Sequence, residues 1–345
     1  HHFLKNGSLK KIDDFWEDME AVTSKLGKGV KTDRTVQEFL DHHKFSKERR
    51  SLFRAFVEGF HAADLNLLSE RGLANSEQVE EDLESSSIYR PSRGYHTFMQ
   101  TFAAQIPPAA IRLDHIVKRI AWKKNHVTIE AESSLSKLRT PLTAGKVVVT
   151  LPIGVLKSDL VQIDPEPPSY RKAIESIHSG HIVRITFVFR SRFWEEAAQE
   201  RIGFLHAGPE FEFPTWWTLM PTRAPALVAW QGGPNAEALS KLPVKQRAMR
   251  ALTTLSEILG VSRDRILDQL LDYHTHNWSH DPYSCGAYSY LGVDGDTLSK
   301  SLTRATESTL YFAGEALCDG PNRGTINGAI ETGEHVARQI IDSRK

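Results

Sequence analysis

The sequence predicts an α/β + α fold, and three patterns along the chain carry this prediction. Amphipathic helical spacing fills most of the first 88 residues. Val147–Thr150 is a continuous β-branched run, which is typical of a strand that is buried on both faces. Leu310–Phe312, a run of strand formers, leads through glycine turns into a helix that opens with small residues. Helices and buried strands therefore share one chain, as an α/β domain with added helices requires.

The composition excludes some partners and leaves most functions open. At 345 residues the chain is long enough for two domains. The 43 basic and 43 acidic side chains balance, so neither nucleic acid nor a membrane surface is expected as a partner. Cys285 and Cys318 lack metal-ligand spacing, so no metal site is expected. The low cysteine content favours a reducing, cytoplasmic location.

The first 88 residues are predicted to be helical. Val36, Phe39 and Leu40 form one apolar face, and Leu52, Phe53, Phe56, Val57 and Phe60 form another. Such stripes favour core packing over a ligand site. The mostly polar stretch from Glu80 to Ser87 is predicted to be a linker or surface loop.

The middle of the chain is predicted to alternate short strands with helices. The predicted strands are Ile111–Leu113, Val117–Trp122, Val127–Ile129, Lys146–Leu151, Ile182–Phe189, Trp216–Trp217 and Ala226–Trp230. The predicted helices are His96–Gln105, Arg171–Ile177 and Val244–Ile258. Gly232-Gly233-Pro234 is predicted to be a turn.

The C-terminal strand–turn–helix segment is the strongest candidate for a binding site. Gly314-Glu315 follows the strand, and Gly324-Thr325-Ile326 opens the helix, with Ala329 on its first turn. A helix start offers backbone N–H groups and the positive end of a dipole, which suit an anion or a polarised carbonyl. Small residues let a flat ring approach the backbone. The alternative interpretation is a structural joint between a strand and a helix.

From about residue 88 onward, the chain resembles the flavin-dependent amine oxidases, which include monoamine oxidases, polyamine oxidases and lysine-specific histone demethylases. Six segments match motifs of that family in the family's order. They are Arg93-Gly94-Tyr95, Leu113–Ile120 with Val117 inside it, Val147–Lys157 with Pro152, Arg184 through Phe193-Trp194, Trp278 with Tyr283–Ser289, and Tyr311–Gly333. The order of the six, rather than any one of them, makes chance similarity an unsatisfactory explanation.

The resemblance implies two interleaved regions. Residues 1–88 and about 161–275 would form a substrate domain, helical at first and then built on a mixed sheet. Residues 89–160 and 276–345 would form part of an FAD-binding domain of Rossmann type. It also implies oxidation of a small-molecule amine, with FAD as the cofactor, because side chains cannot accept a hydride.

The family's N-terminal G-x-G-x-x-G fingerprint has no match in this sequence. Gly27-Lys28-Gly29 is the nearest glycine pair, with Thr32 where a third glycine would stand. We therefore expect that the N-terminal βαβ unit is missing and that the chain needs an N-terminal fragment or a partner chain to bind FAD tightly. The rival hypothesis is a non-catalytic interaction subunit that keeps the fold.

The resemblance also implies roles for individual residues. Arg184, Tyr288 and Thr325 would be catalytic. The cofactor would contact Arg93, Gly94, Tyr95, Val117, Pro152, Trp278, Gly314, Glu315, Gly324, Thr325, Ile326 and Ala329. Arg184 stands where the family has a lysine that holds a water, and it could hold a water or a carboxylate or form a structural ion pair. Ala287 replaces the cysteine that attaches flavin in monoamine oxidases, so the flavin would be noncovalent. Cys285 would share a face with Ala287 if this stretch were a strand.

Overall fold

The computed structural model describes residues 1–5, 8–11, 15–77, 91–198 and 200–343. The predicted loop from Glu80 to Ser87 and the domain boundary at residue 88 lie outside the described residues.

The described residues form fifteen strands. In chain order they are β1 (His2–Lys5), β2 (Ser8–Lys11), β3 (His115–Lys123), β4 (His126–Ser133), β5 (Arg139–Ala144), β6 (Val147–Val149), β7 (Gln162–Asp164), β8 (Ile177–Ser179), β9 (Ile182–Phe189), β10 (Phe204–His206), β11 (Thr215–Thr218), β12 (Ala226–Gly232), β13 (Leu270–Thr275), β14 (Ser289–Leu291) and β15 (Leu310–Phe312).

The same residues form thirteen α-helices, joined by short 3₁₀ turns. They are α1 (Phe15–Thr23), α2 (Val36–His42), α3 (Lys47–Phe60), α4 (Glu70–Ser76), α5 (Gly94–Ala103), α6 (Ile153–Lys157), α7 (Tyr170–Glu175), α8 (Phe193–Ala198), α9 (Gly233–Ser240), α10 (Val244–Leu259), α11 (Arg263–Gln269), α12 (Gly295–Leu298) and α13 (Ile326–Asp342). None of these helices combines the length and apolar character needed to cross a membrane.

A seven-stranded mixed sheet organises the larger core, in the order β13-β9-β12-β11-β10-β1-β2. Alternating apolar residues turn Val183, Ile185, Phe187 and Phe189 of β9 into this core, as the alternation predicts. The prediction that the first 88 residues are all helical is wrong, because β1 pairs in parallel with β10 and antiparallel with β2. A pairing partner 200 residues away leaves no local signal in the sequence.

A second core lies beside three smaller sheets. The four-stranded sheet has the order β5-β4-β3-β7, β15 pairs with β6 in parallel, and β14 pairs with β8 antiparallel. Val147 and Val149 of β6 are buried, but Val148 is 38% exposed. The prediction that this strand is buried on both faces is therefore wrong, because the described residues bury only the face of β6 that carries Val147 and Val149.

Two local predictions also fail. Ile111–Leu113 forms no strand, and Leu113 is 76% exposed. Gly232-Gly233-Pro234 does not form an isolated turn, since Gly232 caps α9 and the proline occupies its first turn. Proline without an N–H group is well tolerated at that position, which the turn interpretation overlooked.

Candidate active site

A cavity of about 490 Å³ opens between the C-terminal segment, the end of β6 and the loop before β14. Its walls are mostly apolar, and the C-terminal strand–turn–helix segment contributes the largest share of them. The lining residues are Val149, Thr150, Leu151, Pro152, Ile153, Leu156, Ile182, Trp278, Ser284, Gly286, Ala287, Tyr288, Phe312, Ala313, Gly314, Glu315, Ala316, Leu317, Ala329 and Gly333. A mostly apolar cavity with a few polar groups is the usual form of a small-molecule or cofactor site.

Two glycines leave space in this cavity that a side chain would occupy. Gly314 has a φ of 143°, a conformation that favours glycine, and a Cβ there would meet no atom within 4 Å. Gly333 lies inside α13, and a Cβ built there would likewise meet no atom within 4 Å. The backbone N–H of Gly314 donates to Thr332 Oγ1 at 3.0 Å, which ties the turn to the helix. The two glycines form a shelf that a planar ring can approach closely.

Glu315 supplies a buried acceptor at the edge of this shelf. Its Oε2 accepts hydrogen bonds from the hydroxyl of Ser289 at 2.7 Å and from the Ser289 N–H at 3.3 Å. Burial raises the pKa of Glu315, while the bonds from Ser289 act in the opposite direction. A carboxyl group held in this way is suited to accept a bond from a hydroxyl-bearing chain. The glycine shelf, the apolar walls and this acceptor together fit a flavin ring and its polyol chain.

The start of α13 lies beside the cavity. Thr325 is the N-cap: its hydroxyl accepts from the Gly328 N–H at 3.1 Å and donates to the Asn322 carbonyl at 2.6 Å. Both hydrogen-bonding functions of the hydroxyl are therefore used within the helix start. Whatever Thr325 contributes to chemistry comes through the backbone and the positive end of the 17-residue helix rather than through its side chain.

Tyr288 and Trp278 form the aromatic side of the cavity. The Tyr288 hydroxyl donates to the Phe60 carbonyl at 2.5 Å, and burial raises its pKa far above the usual value, so the phenol stays neutral. Trp278 is 42% exposed and meets the His276 ring at an angle of 65°, with the ring centroids 4.5 Å apart. His276 is hydrogen-bonded to Asp281 at 2.7 Å, which fixes the ring against which Trp278 packs.

The loop before β14 is a sequence of turns and bends rather than a strand. The Cys285 N–H donates to the Asp281 carbonyl at 2.8 Å, and the Ala287 N–H donates to Gly180 at 2.7 Å. Cys285 has a φ of 52°, and its Sγ lies 3.8 Å from the Pro282 carbonyl. The expectation that Cys285 shares a strand face with Ala287 is therefore wrong: Ala287 lines the cavity, and Cys285 is absent from its lining.

The structure places some of the predicted site residues in the cavity wall and others away from it. Pro152, Trp278, Tyr288, Gly314, Glu315 and Ala329 line the cavity. Gly324, Thr325 and Ile326 stand next to it, at the start of α13. Arg184 is exposed on β9, two residues beyond Ile182 of the cavity wall.

The remaining predicted residues lie elsewhere. Arg93, Gly94 and Tyr95 are exposed at the start of α5, and Val117 packs against the second core from β3. These four do not contact the cavity within the described chain, and their assignment to the cofactor stays a prediction.

Two residues that shape the site were not singled out from the sequence. Ile182 lines the cavity, and Thr332 fixes the Gly314 turn. The alternating pattern of β9 could have shown that Ile182 faces away from the main core. Nothing local to Thr332 indicates its partner 18 residues earlier in the chain.

Comparison with known proteins places this fold and cavity in a family. The family model described as flavin containing amine oxidoreductase matches residues 7–341. The chain belongs to this family, which confirms the predicted resemblance and its flavin cofactor.

Two curated relatives and one solved structure define the similarity. A 261-residue stretch covering 72% of the chain is 27% identical to lysine-specific histone demethylase 1 homolog 3 of Arabidopsis thaliana. A 243-residue stretch covering 70% of the chain is 28% identical to polyamine oxidase 4 of Oryza sativa subsp. japonica. These matches span 15% and 46% of the relatives' own lengths, so less than half of each relative is represented.

The solved structure of cyclohexylamine oxidase from Brevibacterium oxydans superimposes with a TM-score of 0.77 at 16% identity, covering all of this chain and 81% of that one. This agreement confirms the predicted mixed α/β + α fold.

Proposed function

We propose that this chain takes part in FAD-dependent oxidation of an amine at its C–N bond. The observation that carries the proposal is the cavity with a glycine shelf on one side and the Trp278–Tyr288 pair on the other. A bound flavin would supply the two-electron acceptor for a hydride from the carbon beside nitrogen. Oxidation of the amine gives an imine, which water hydrolyses.

Each part of the cavity would have a separate role in this oxidation. Gly314 and Gly333 admit a planar ring, and the apolar walls keep water away from it. The positive end of α13 would stabilise negative charge on a bound flavin. The faces of Trp278 and Tyr288 orient the amine. Because the Tyr288 phenol is held by the Phe60 carbonyl, it fixes a wall of the site and does not move a proton.

The flavin is proposed to be noncovalent. Ala287 lines the cavity but carries no thiol, and the Cys285 thiol points to the Pro282 carbonyl. Acid precipitation of a flavin-loaded form should leave the yellow colour in the supernatant, and colour in the pellet would point to Cys285.

We further propose that residues outside this sequence bind the adenosine and diphosphate half of FAD. The sequence contains no G-x-G-x-x-G, and losing several charge-assisted hydrogen bonds of about 1.5–3 kcal/mol each lowers affinity by orders of magnitude. The chain alone should then produce no peroxide from amines, and a fragment carrying G-x-G-x-x-G should restore production. Amine turnover by this chain alone, with stoichiometric FAD, would contradict the need for a second segment.

The rival proposal is a non-catalytic interaction subunit, favoured by the absent glycine fingerprint. The same complementation experiment separates the two: a complex that binds FAD but never turns over an amine would support the rival. The cytoplasmic location is also a proposal, supported by the two free cysteines, Cys285 and Cys318.

A further inference from the structure

A buried guanidinium group lies against the wall of the cavity. No lysine, arginine or histidine lines the cavity within the described part of the chain. Arg323, however, donates from its Nη1 to the carbonyl of Ala316, which is a lining residue. The side chain of Arg323 is only 5% exposed. A positive charge is therefore enclosed next to this wall, although it does not line the cavity itself.

The carboxylates around Arg323 balance this charge only in part. Asp319 accepts from Nη2 of Arg323 at 3.5 Å, and its side chain is 67% exposed, so water screens the pair. Asp296, which also acts on Arg323, is paired with Arg71 at 3.4 Å. Glu315 acts on Arg323 as well, but burial raises the pKa of Glu315 and so disfavours its carboxylate form. The charge of Arg323 is therefore desolvated more fully than it is paired.

Arg323 also joins two parts of the site. It immediately precedes Gly324 and Thr325 at the start of α13, and its guanidinium reaches back to the turn that follows β15. Between the same two parts, the Gly324 N–H donates to the Glu315 carbonyl at 3.5 Å. The turn that contains Gly314 and Glu315 is therefore held at the start of the helix.

We propose that Arg323 is a positioning residue for the flavin, which holds the turn after β15 at the start of α13, and that its enclosed charge favours reduction of the bound ring. A hydride carries two electrons and one proton from the carbon beside nitrogen to the ring, so the ring gains one negative charge and the amine becomes an iminium. A cation enclosed nearby, where little water screens it, stabilises the added charge. The inference rests on the proposed function, because it concerns the same flavin site.

Sulfite allows a test that needs no amine. It adds through its sulfur to a flavin ring, bleaches the visible spectrum and places negative charge on the ring. Sulfite is titrated into the chain supplied with FAD and a G-x-G-x-x-G fragment, and the dissociation constants of sulfite and of FAD are measured for each variant.

Two substitutions of Arg323 separate its charge from its hydrogen bonds. Arg323→Gln removes the charge and should weaken sulfite binding about 10-fold, as expected for the loss of an enclosed cation beside a charged ring. Arg323→Lys keeps the charge and should bind sulfite within about threefold of the natural chain. Both variants should bind FAD more weakly, because the hydrogen bond from the guanidinium to Ala316 is lost. A merely structural role would weaken FAD binding in the same way but would not make sulfite binding depend on the charge.

Two further variants keep the test specific. Asp319→Asn removes an exposed carboxylate from the pair, so it should strengthen sulfite binding about two- to threefold without disturbing a core. Arg338→Gln makes the same chemical change as Arg323→Gln at an exposed position of α13 and should alter neither dissociation constant. Unchanged sulfite affinity in Arg323→Gln, equal losses in Arg323→Lys and Arg323→Gln, weaker sulfite binding in Asp319→Asn, or no sulfite reaction of the natural chain would overturn the inference.

The outcomes separate this inference from the proposed function. Amine-dependent peroxide production with a sulfite affinity that does not depend on Arg323 would sustain the function and overturn the role of Arg323. A sulfite affinity that depends on the charge of Arg323, in a flavin-loaded complex that oxidises no amine, would sustain the role of Arg323 and contradict the function.

Discussion

Two segments that the sequence assigns to the same flavin-binding region differ sharply in how they are packed. The C-terminal segment is well packed. Phe312 is 3% exposed, Tyr311 is 1% exposed, and Gly314 and Glu315 are each held by hydrogen bonds. Helix α5 has no buried residue at all, and Tyr95 and Met99 are more than half exposed.

The difference shows which part of the site the described chain can build by itself. The wall of the cavity that we assign to flavin draws its contacts from β6, β15 and α13. The contiguous apolar surface of α5 is of the kind that other protein surfaces usually cover. A match to family motifs therefore predicts where a segment belongs, but it does not predict how far the described residues bury that segment.

The largest expected effect comes from comparing one apolar residue of each segment, Phe312 in the C-terminal segment and Met99 on α5. Phe312→Ala should lower the free energy of unfolding by about 3–5 kcal/mol, because it empties a filled position in the second core. Met99→Ala should change it by less than about 0.5 kcal/mol, because that side chain is exposed on α5. Urea denaturation measures both. Similar losses in the two variants would mean that α5 is as well packed as the C-terminal segment.

The N-caps of α13 and α5 test the same difference between the two segments with a smaller expected change in the free energy of unfolding. The Thr325 hydroxyl caps α13, whereas Arg93 at the start of α5 makes no side-chain cap bond. Thr325→Ala should therefore cost about 1 kcal/mol, and Thr325→Ser should restore most of it. Arg93→Ala serves as the matched control and should be neutral. An equal cost in Arg93→Ala would show an interaction of that side chain beyond capping.

The smallest expected effect concerns the pH dependence of stability. Burial raises the pKa of Glu315 in the folded chain, so folding favours the protonated acid. The corresponding stability is present at low pH and is lost as the pH rises through the raised pKa. Glu315→Gln lacks this loss, so it should gain stability relative to the natural chain as the pH rises from below to above the ordinary pKa of a glutamic acid. Urea denaturation across that range gives the comparison, and parallel curves would contradict the effect of burial.

Local patterns predicted the elements whose partners lie nearby. The bounds of the Ile182–Phe189 strand are confirmed, because alternation along a single strand specifies both its length and its buried face. The helix predicted at Val244–Ile258 is confirmed as α10 with one added residue. The pairing of β1 with β10 could not be predicted, since it joins residues that are far apart in the sequence, such as His2 and Leu205.

The candidate site was predictable where glycine and aromatic residues carry the signal. Gly314 was assigned from its turn pattern, and Trp278 and Tyr288 were assigned from the resemblance to the family; all three lie on the cavity wall. The bonds from Ser289 to Glu315 and from Gly314 to Thr332 depend on how distant segments meet, which residue types alone do not specify. The alternation along β9 specifies the face on which Ile182 lies, but only the tertiary structure brings that face to the C-terminal segment.

The most direct test of the central claim fills the glycine shelf without straining the backbone. Gly333 lies inside α13 at an ordinary helical position, so leucine there favours the helix while its side chain enters the cavity. The visible difference spectrum is recorded as FAD is added to the chain supplied with a G-x-G-x-x-G fragment. We expect a saturable change in the natural chain, a weaker one in Gly333→Ala and none in Gly333→Leu. An undiminished change in Gly333→Leu would show that the flavin ring binds elsewhere, and no change in the natural chain would contradict the assignment of this cavity to flavin.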